Sequence, residues 1–122
     1  MSTELADRQC EACRPGSPQV ADAERAELMA SLSGWTVDRV DGMDQLAAEY
    51  RFADFAAALE FVGKIGDLAE AENHHPKLIL EWGRAEVRWW THSIGGLHLN
   101  DFIMAARSDR VFAAGGGGAA GS

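Results

Sequence analysis

The sequence predicts an α+β fold, a four-stranded antiparallel sheet with three helices packed on one face, in the order α-β-β-α-β-β-α. Two pairs of short apolar segments, each pair broken by a turn signal, indicate two β-hairpins. A long segment with apolar residues at helical spacing separates the hairpins, and shorter helical segments stand before and after them. Elements in this order pack as two layers around a single core, which a chain of 122 residues is long enough to form.

The first helix is predicted over residues 20–32, where apolar positions recur every three or four residues. A strand then begins at Trp35. The pair Asp41-Gly42 is a strong signal for a tight hairpin turn, because both residue types tolerate a left-handed backbone. The returning strand of this first hairpin is predicted over residues 45–52.

The second helix is predicted over residues 55–72, with Asp54 as its N-cap and Pro76 beyond its end. One stripe of this helix is expected to face the core. The stripe consists of Phe55, Leu59, Val62, Ile65 or Gly66, and Ala69.

The second hairpin is predicted over residues 78–82 and 86–90, around Gly83-Arg84. A final helix follows over residues 98–108. Asp101 falls in its first turn, where the helix dipole favours a carboxylate. A sheet of this size leaves open edges that invite pairing with a second copy, so we expect a homodimer or homotetramer.

Residues 1–19 are predicted to be a flexible leader, residues 20–112 the folded domain, and residues 113–122 a disordered Gly/Ala tail. No apolar stretch approaches the roughly 20 residues that a membrane-spanning helix needs, and the N-terminus lacks the features of a secretory signal. A cytoplasmic location is therefore expected. Cys10 and Cys13 are interpreted as an incidental reduced pair, and a metal or redox role for them remains open.

The net charge is −8, from 19 acidic and 11 basic residues. Proteins that bind phosphate backbones or anionic lipid surfaces rely on clustered lysine and arginine. Binding to nucleic acid or to a membrane surface is therefore not expected.

Three of the four histidines, His74, His75 and His92, fall at predicted junctions between helices and strands. Imidazole titrates near neutral pH, so such a group can give and take protons. Glu70 lies one helical turn before His74 and on the same face if the helix continues. Spacing alone leaves three interpretations open: helix capping and surface roles, a metal site of three histidines and a glutamate, or acid–base catalysis.

Trp89 and Trp90 are neighbours on one predicted strand and should face opposite sides of the sheet. One indole is then expected in the core and the other outward, beside His92. An outward indole suits a flat heteroaromatic ligand or covers a subunit interface. Trp35 and Trp82 are expected in the core or in the wall of a groove.

The segment from Glu70 to Ala106 resembles the signature of the pterin-4a-carbinolamine dehydratases. That signature has an acidic residue, then His-His-Pro, an aromatic residue, Thr-His, Gly-Leu and Asp. A looser similarity covers residues 20–110, and the leader resembles that of bacterial members associated with phenylalanine hydroxylase. Asn73 and Ile94 depart from the residues of animal members. The matching positions are Glu70, His74, His75, Pro76, Trp82, Thr91, His92, Gly96, Leu97 and Asp101.

The resemblance implies that the chain dehydrates 4a-hydroxytetrahydrobiopterin to quinonoid dihydropterin and so recycles the cofactor of aromatic amino acid hydroxylases. It implies His74 and His92 as general acids, and His75 as a substrate-binding residue and candidate base. Glu70 would tune or orient these histidines. Such a hydroxylase is the implied partner.

The resemblance further implies substrate contacts from Pro76, Trp90, Thr91 and Asp101. Neither a metal nor a separate cofactor is implied, since the pterin is itself the substrate. Two alternatives remain. Animal relatives also act as dimerisation cofactors of a transcription factor, which makes an interaction protein the first alternative. A zinc-dependent hydrolase is the second.

Overall fold

The structure is a computed structural model that describes residues 5–7 and 19–114. Its four strands form one antiparallel sheet in the order β1-β2-β4-β3, and its three helices cover one face of that sheet. The predicted fold class and element order are confirmed. The strands are β1 at Thr36–Val40, β2 at Met43–Arg51, β3 at Lys77–Glu81 and β4 at Arg84–Trp89; the helices are α1 at Asp22–Ala30, α2 at Phe55–Glu72 and α3 at Leu99–Ala114.

Local chemistry sets the first hairpin and both ends of α2. Asp41 and Gly42 have φ values of 51° and 80°, which makes the turn between β1 and β2 a type I′ turn, as predicted. The carboxylate of Asp54 accepts a hydrogen bond from the Ala57 N–H at 2.8 Å, so the predicted N-cap is also confirmed. Asn73 ends the helix in the left-handed conformation, with φ at 50°, before the following proline is reached.

The buried face of α2 differs from the predicted stripe. Phe55 and Leu59 are 43% and 51% exposed, so their predicted place in the core is wrong. The ring of Phe61 packs against Tyr50 and Phe52 of the first hairpin, at centroid distances of 4.7 and 5.3 Å. This aromatic contact selects the rotation of the helix about its axis. The residues of α2 that are buried are Ala58, Phe61, Ile65 and Ala69.

Helix α3 continues past its predicted end at Ser108 because its last turns pack on the first hairpin. The carboxylate of Asp109 accepts hydrogen bonds from the Trp35 indole and the Tyr50 hydroxyl, and Phe112 lies 4.9 Å from the Tyr50 ring. Trp35 is buried, as predicted. Residues 113–114, predicted to begin the tail, are helical, and the rest of that tail lies outside the described residues.

Part of the predicted leader lies against α3. Leu5–Asp7 form a short 3-10 turn, and Arg107 donates from Nε to the Ala6 carbonyl at 3.0 Å. Arg110 approaches the Asp7 carboxylate at 2.6 Å and lowers its pKa. Cys10 and Cys13, with the rest of residues 8–18, lie outside the described residues.

The sheet face opposite the helices is polar. Arg88 contacts the carboxylates of Glu86 and Asp38, at 2.6 and 3.0 Å, and the Arg88 guanidinium holds the pKa of Glu86 below its usual value. Arg84 approaches Glu49, and also Glu86 at 2.8 Å. These ion pairs give the uncovered face a charged surface, and β1 and β3 form the edges of the described sheet.

The turn of the second hairpin lies one residue earlier than predicted. Gly83 takes a φ of 69°, so the turn is centred on Trp82 and Gly83, and Arg84 begins β4. Trp82 stands at this corner with 72% of its surface exposed, and its predicted place in the core or a groove wall is wrong. In the described part of the chain, no helix is both long and apolar enough to span a membrane.

Candidate active site

The end of α2, the end of β4 and the start of α3 meet at one end of the sheet. The left-handed Asn73 turns the chain inward, and the His74 N–H donates to the Ala69 carbonyl at 3.1 Å. The His74 ring then lies parallel to the fully buried Trp89, with centroids 5.6 Å apart and an angle of 5° between the rings. His74 is therefore held by the core on one side.

A buried carboxylate holds the same histidine through its ring nitrogen. His74 Nε2 lies 2.6 Å from Asp101 Oδ1; the side chain of Asp101 has no exposed surface and that of His74 is 11% exposed. The other oxygen, Oδ2, accepts from the Thr91 hydroxyl at 2.7 Å and from the His98 N–H at 2.9 Å. A carboxylate bound in this way orients an imidazole through Nε2 and leaves its Nδ1 for chemistry.

The position of Asp101 in the first turn of its helix is confirmed. Its contacts, however, are with protein groups: both carboxylate oxygens accept hydrogen bonds from this cluster. Sequence reasoning missed His98, whose Nδ1 also accepts from the Asn100 N–H at 3.0 Å at the start of α3. No local pattern signals the contact between His74 and Asp101, which are 27 positions apart.

His92 opens a short closed loop after β4. The Thr91 N–H donates to the Gly96 carbonyl at 2.8 Å and the Gly96 N–H returns to Thr91 at 3.3 Å, while Gly95 turns the chain with a φ of 66°. His92 is exposed, and its ring lies 4.7 Å from the Trp90 ring, centroid to centroid. His92 thus follows directly on Thr91, which contacts Asp101.

Trp90 is only 9% exposed, so the expectation of an outward indole is wrong. The reason is that β4 ends at Trp89, and the alternation of faces along a strand no longer applies to the next residue. The indole Nε1 of Trp90 is buried and has no hydrogen-bond partner among the described residues. Its ring forms one side of the contact with His92.

His75 and Glu70 form a second, exposed pair. His75 Nε2 lies 3.1 Å from Glu70 Oε1, and the two side chains are 54% and 80% exposed. Glu70 was expected to lie on the same face as His74. The left-handed Asn73 breaks the helical spacing, so His74 turns inward and His75 returns towards Glu70. Pro76 lies immediately before β3 and is half-buried.

The arrangement is suited to proton transfer. His74, Thr91 and Asp101 share one hydrogen-bond network, and His92 adjoins it in the chain. Within residues 5–7 and 19–114, no three histidine, cysteine or acidic side chains converge in a way that would hold a metal ion. The site therefore presents imidazoles in two settings, one backed by a buried carboxylate and one open to solvent.

Comparison with known proteins identifies the family. Residues 18–111 match the model of the pterin 4 alpha carbinolamine dehydratase family. The chain belongs to this family. A candidate pterin-4-alpha-carbinolamine dehydratase of Marinobacter nauticus is 50% identical over 108 residues, covering 88% of this chain and 97% of the relative. One from Chlorobium luteolum is 45% identical over 109 residues, covering 89% and 96%.

A solved dehydratase-family structure agrees with the fold. The crystal structure of a transcriptional coactivator/pterin dehydratase from Brucella melitensis superposes with a TM-score of 0.69 at 29% sequence identity. The match covers 77% of this chain and 98% of that one. The resemblance to the pterin-4a-carbinolamine dehydratases is thereby confirmed for family and fold.

Proposed function

We propose that the protein catalyses the dehydration of 4a-hydroxytetrahydrobiopterin to quinonoid dihydropterin. Its membership of the pterin-4a-carbinolamine dehydratase family supports this reaction. The observation that carries the proposal is the 2.6 Å contact between His74 and the buried carboxylate of Asp101. A surface or capping histidine needs no such partner, whereas a proton-transferring imidazole benefits from one.

The reaction breaks the bond between C4a and its hydroxyl oxygen. The oxygen takes up a proton and leaves as water, while the lone pair of the neighbouring ring nitrogen forms a double bond to C4a. A ring N–H proton then passes to a base, so the elimination is balanced without an oxidant, a reductant or a second substrate. An acid and a base that work near neutral pH are what the chemistry requires.

We assign His74 and His92 as the general acids on the two sides of the pterin ring. Asp101 fixes His74 through Nε2, so that Nδ1 is the nitrogen that delivers a proton to the leaving hydroxyl. His92 is open to solvent and can exchange protons with it. An acid–base group of this kind typically contributes about 10²–10⁴-fold in rate.

The remaining predicted residues receive supporting roles. His75 is the substrate-binding residue and candidate base, and Glu70 orients it through their 3.1 Å contact. Pro76 supplies apolar contact to the flat ring, and Trp90 adds only the 9% of its surface that is exposed. Thr91 acts through Asp101, because its hydroxyl, N–H and carbonyl are all engaged within the protein.

The partner, the location and the oligomeric state of the protein are part of the same proposal. An aromatic amino acid hydroxylase would produce the substrate, and a cytoplasmic location follows from that partnership. A homodimer or homotetramer is supported by the edge strands β1 and β3, each of which pairs on one side within the described sheet. The alternative of an interaction protein draws on the name of the Brucella melitensis protein, which includes a coactivator role.

The test is to mix the purified protein with freshly made 4a-hydroxytetrahydrobiopterin and to follow quinonoid formation in the ultraviolet. The protein should accelerate dehydration over the spontaneous rate. Glu70→Gln should lower this acceleration, whereas Glu60→Gln is a matched control on the same helix, since Glu60 pairs with Lys64 on the surface. A wild-type rate equal to the spontaneous rate would exclude the proposed function.

A further inference from the structure

The chain enters its first helix across the loop that carries His92. Gln19 donates from Nε2 to the Ile94 carbonyl at 3.2 Å, and the Val20 N–H donates to the Leu97 carbonyl at 3.0 Å. Val20 is 9% exposed and belongs to the core cluster. Val20 therefore anchors residues 19–20 in the core, just before α1. The side chain of Gln19 extends from there to the loop that carries His92.

Gly96 shows how closely Gln19 approaches. A Cβ atom placed on Gly96 would lie 2.6 Å from Gln19 Oε1 and 2.7 Å from Cδ, closer than real Cβ atoms come to other groups. Among the residues that the structure describes, the glycines with positive φ are Gly42, Gly83 and Gly95, so the backbone of Gly96 does not itself require glycine. The side-chain amide of Gln19 occupies the space that a larger residue at position 96 would need.

The position of His92 depends on this loop. Thr91 and Gly96 close the loop through their backbone hydrogen bonds, and His92 takes the first position of the 3-10 turn within it. The His92 side chain is exposed and contacts the Trp90 ring. Burial therefore does little to place the imidazole, and the backbone of the loop must do so.

We infer that Gln19 is a positioning residue for His92, because its amide donates to the Ile94 carbonyl and fills the space beside Gly96 in the Thr91–Gly96 loop. The catalytic meaning of this inference rests on the proposed function, while the placement of the His92 ring can be followed without substrate. A misplaced general acid reduces the stabilisation of the transition state more than it reduces the affinity for the substrate. Loss of the contact should therefore lower kcat and leave KM nearly unchanged.

The first experiment is a double-mutant cycle of Gln19→Ala and Gly96→Ala. The alanine at 96 displaces the Gln19 amide, so each single variant should lower kcat about 3- to 10-fold, the range of one lost hydrogen bond. The double variant should be no slower than the slower single variant, because both changes break the same contact. Gly34→Ala is the matched control, since nothing lies within 4 Å of a Cβ there.

The second experiment follows the His92 ring by NMR in the absence of substrate. Its Hε1 signal, assigned by its loss in His92→Ala, should be shifted by the ring current of Trp90, 4.7 Å away. The shift should diminish in Gln19→Ala and Gly96→Ala and persist in Gly34→Ala. Gln19→Ala alters an exposed side chain, so it alone decides the question if Gly96→Ala does not fold.

Additive losses in kcat, or an unchanged His92 signal in Gln19→Ala, would overturn the positioning role. A wild-type protein that fails to dehydrate the pterin, while its His92 signal still moves in Gln19→Ala, would instead refute the proposed function and leave Gln19 as the residue that places His92.

Discussion

Nε2 of His74 lies 2.6 Å from Oδ1 of Asp101, and that carboxylate has no surface open to solvent. The second oxygen of Asp101 is bound by the Thr91 hydroxyl and the His98 N–H. The carboxylate thus has donors on both oxygens, and one of these donors is the proposed general acid. A change at either residue should therefore affect stability and chemistry together.

Asp101→Asn tests the carboxylate. An amide presents an N–H₂ group to at least one of the donors that now bind Asp101, so the free energy of unfolding should fall by about 1–3 kcal/mol. The rate should fall as well, because an amide does not hold His74 in the same tautomer and orientation. Urea unfolding and the dehydration assay measure the two effects, with the exposed Asp67→Asn as control. A variant with normal stability and turnover would show that the contact is incidental.

His74→Ala and His92→Ala should each lower dehydration by about 10²–10⁴-fold. Their effects on stability should differ. His92 is exposed, so its removal should change the free energy of unfolding by less than about 0.5 kcal/mol. Removal of His74 leaves Asp101 without one donor in a buried setting and should cost about 1–3 kcal/mol. Near-normal turnover in both variants would rule out the histidine mechanism.

Stability at alkaline pH should depend on Tyr50. Burial raises the pKa of its hydroxyl above the usual 10.0, and the charge of Asp109 and the hydrogen bond to it raise the pKa further. Because the folded-state pKa is the higher one, the stabilisation is complete below pH 10 and is lost as the pH rises above 10. The slope approaches about 1.4 kcal/mol per pH unit.

Tyr50→Phe has no ionisable hydroxyl and should lack this part of the pH dependence. Urea unfolding of both proteins between about pH 9 and pH 11 provides the comparison. The free energy of unfolding of the wild type should fall relative to that of the variant as the pH rises. Parallel curves over this range would show that the hydroxyl ionises equally in the folded and unfolded chains.

Exhaustive chelation should leave the dehydration rate unchanged. The leaving hydroxyl can be protonated by imidazolium, and the developing charge is spread over the pterin ring. The measurement is the rate before and after prolonged dialysis against EDTA. Activity that disappears on chelation and returns with zinc would favour the metal-dependent alternative.

The protein should assemble through its sheet edges. β1 and β3 each present unpaired backbone groups on one side within the described sheet, and Trp82 adds an exposed indole at the β3–β4 turn. Light scattering over a concentration series should give the mass of a dimer or a tetramer. A stable monomer at micromolar concentration would contradict the assembly and leave the chemistry untouched.

Features determined by neighbouring residues could be predicted from the sequence. Asp41 and Gly42 specify a turn by their own backbone preferences, and Asp54 caps α2 through a residue three positions away. The rotation of α2 about its axis could not be predicted, because a stripe that includes Phe55 and a stripe that includes Phe61 both have helical spacing. The choice between them depends on aromatic rings that other elements contribute.

The site shows the same limit. The histidines could be selected from their chemistry and from the family signature, which names the positions without their partners. Glu70 seemed the natural neighbour of His74 by helical spacing, but the left-handed Asn73 redirects the chain after the helix. The partner of His74 is instead Asp101, which only the packing of α3 brings within reach.

Helix α3 holds His74, the proposed general acid, at two points. Asp101 binds His74 directly, and Ser108, further along the helix, accepts a hydrogen bond from the Trp89 indole that lies against the His74 ring. His74 is thus linked to the same helix twice, directly through Asp101 and indirectly through Trp89. His74 should therefore be released when α3 separates from the sheet. Any opening of α3 should thus remove both contacts from the His74 side at the same time.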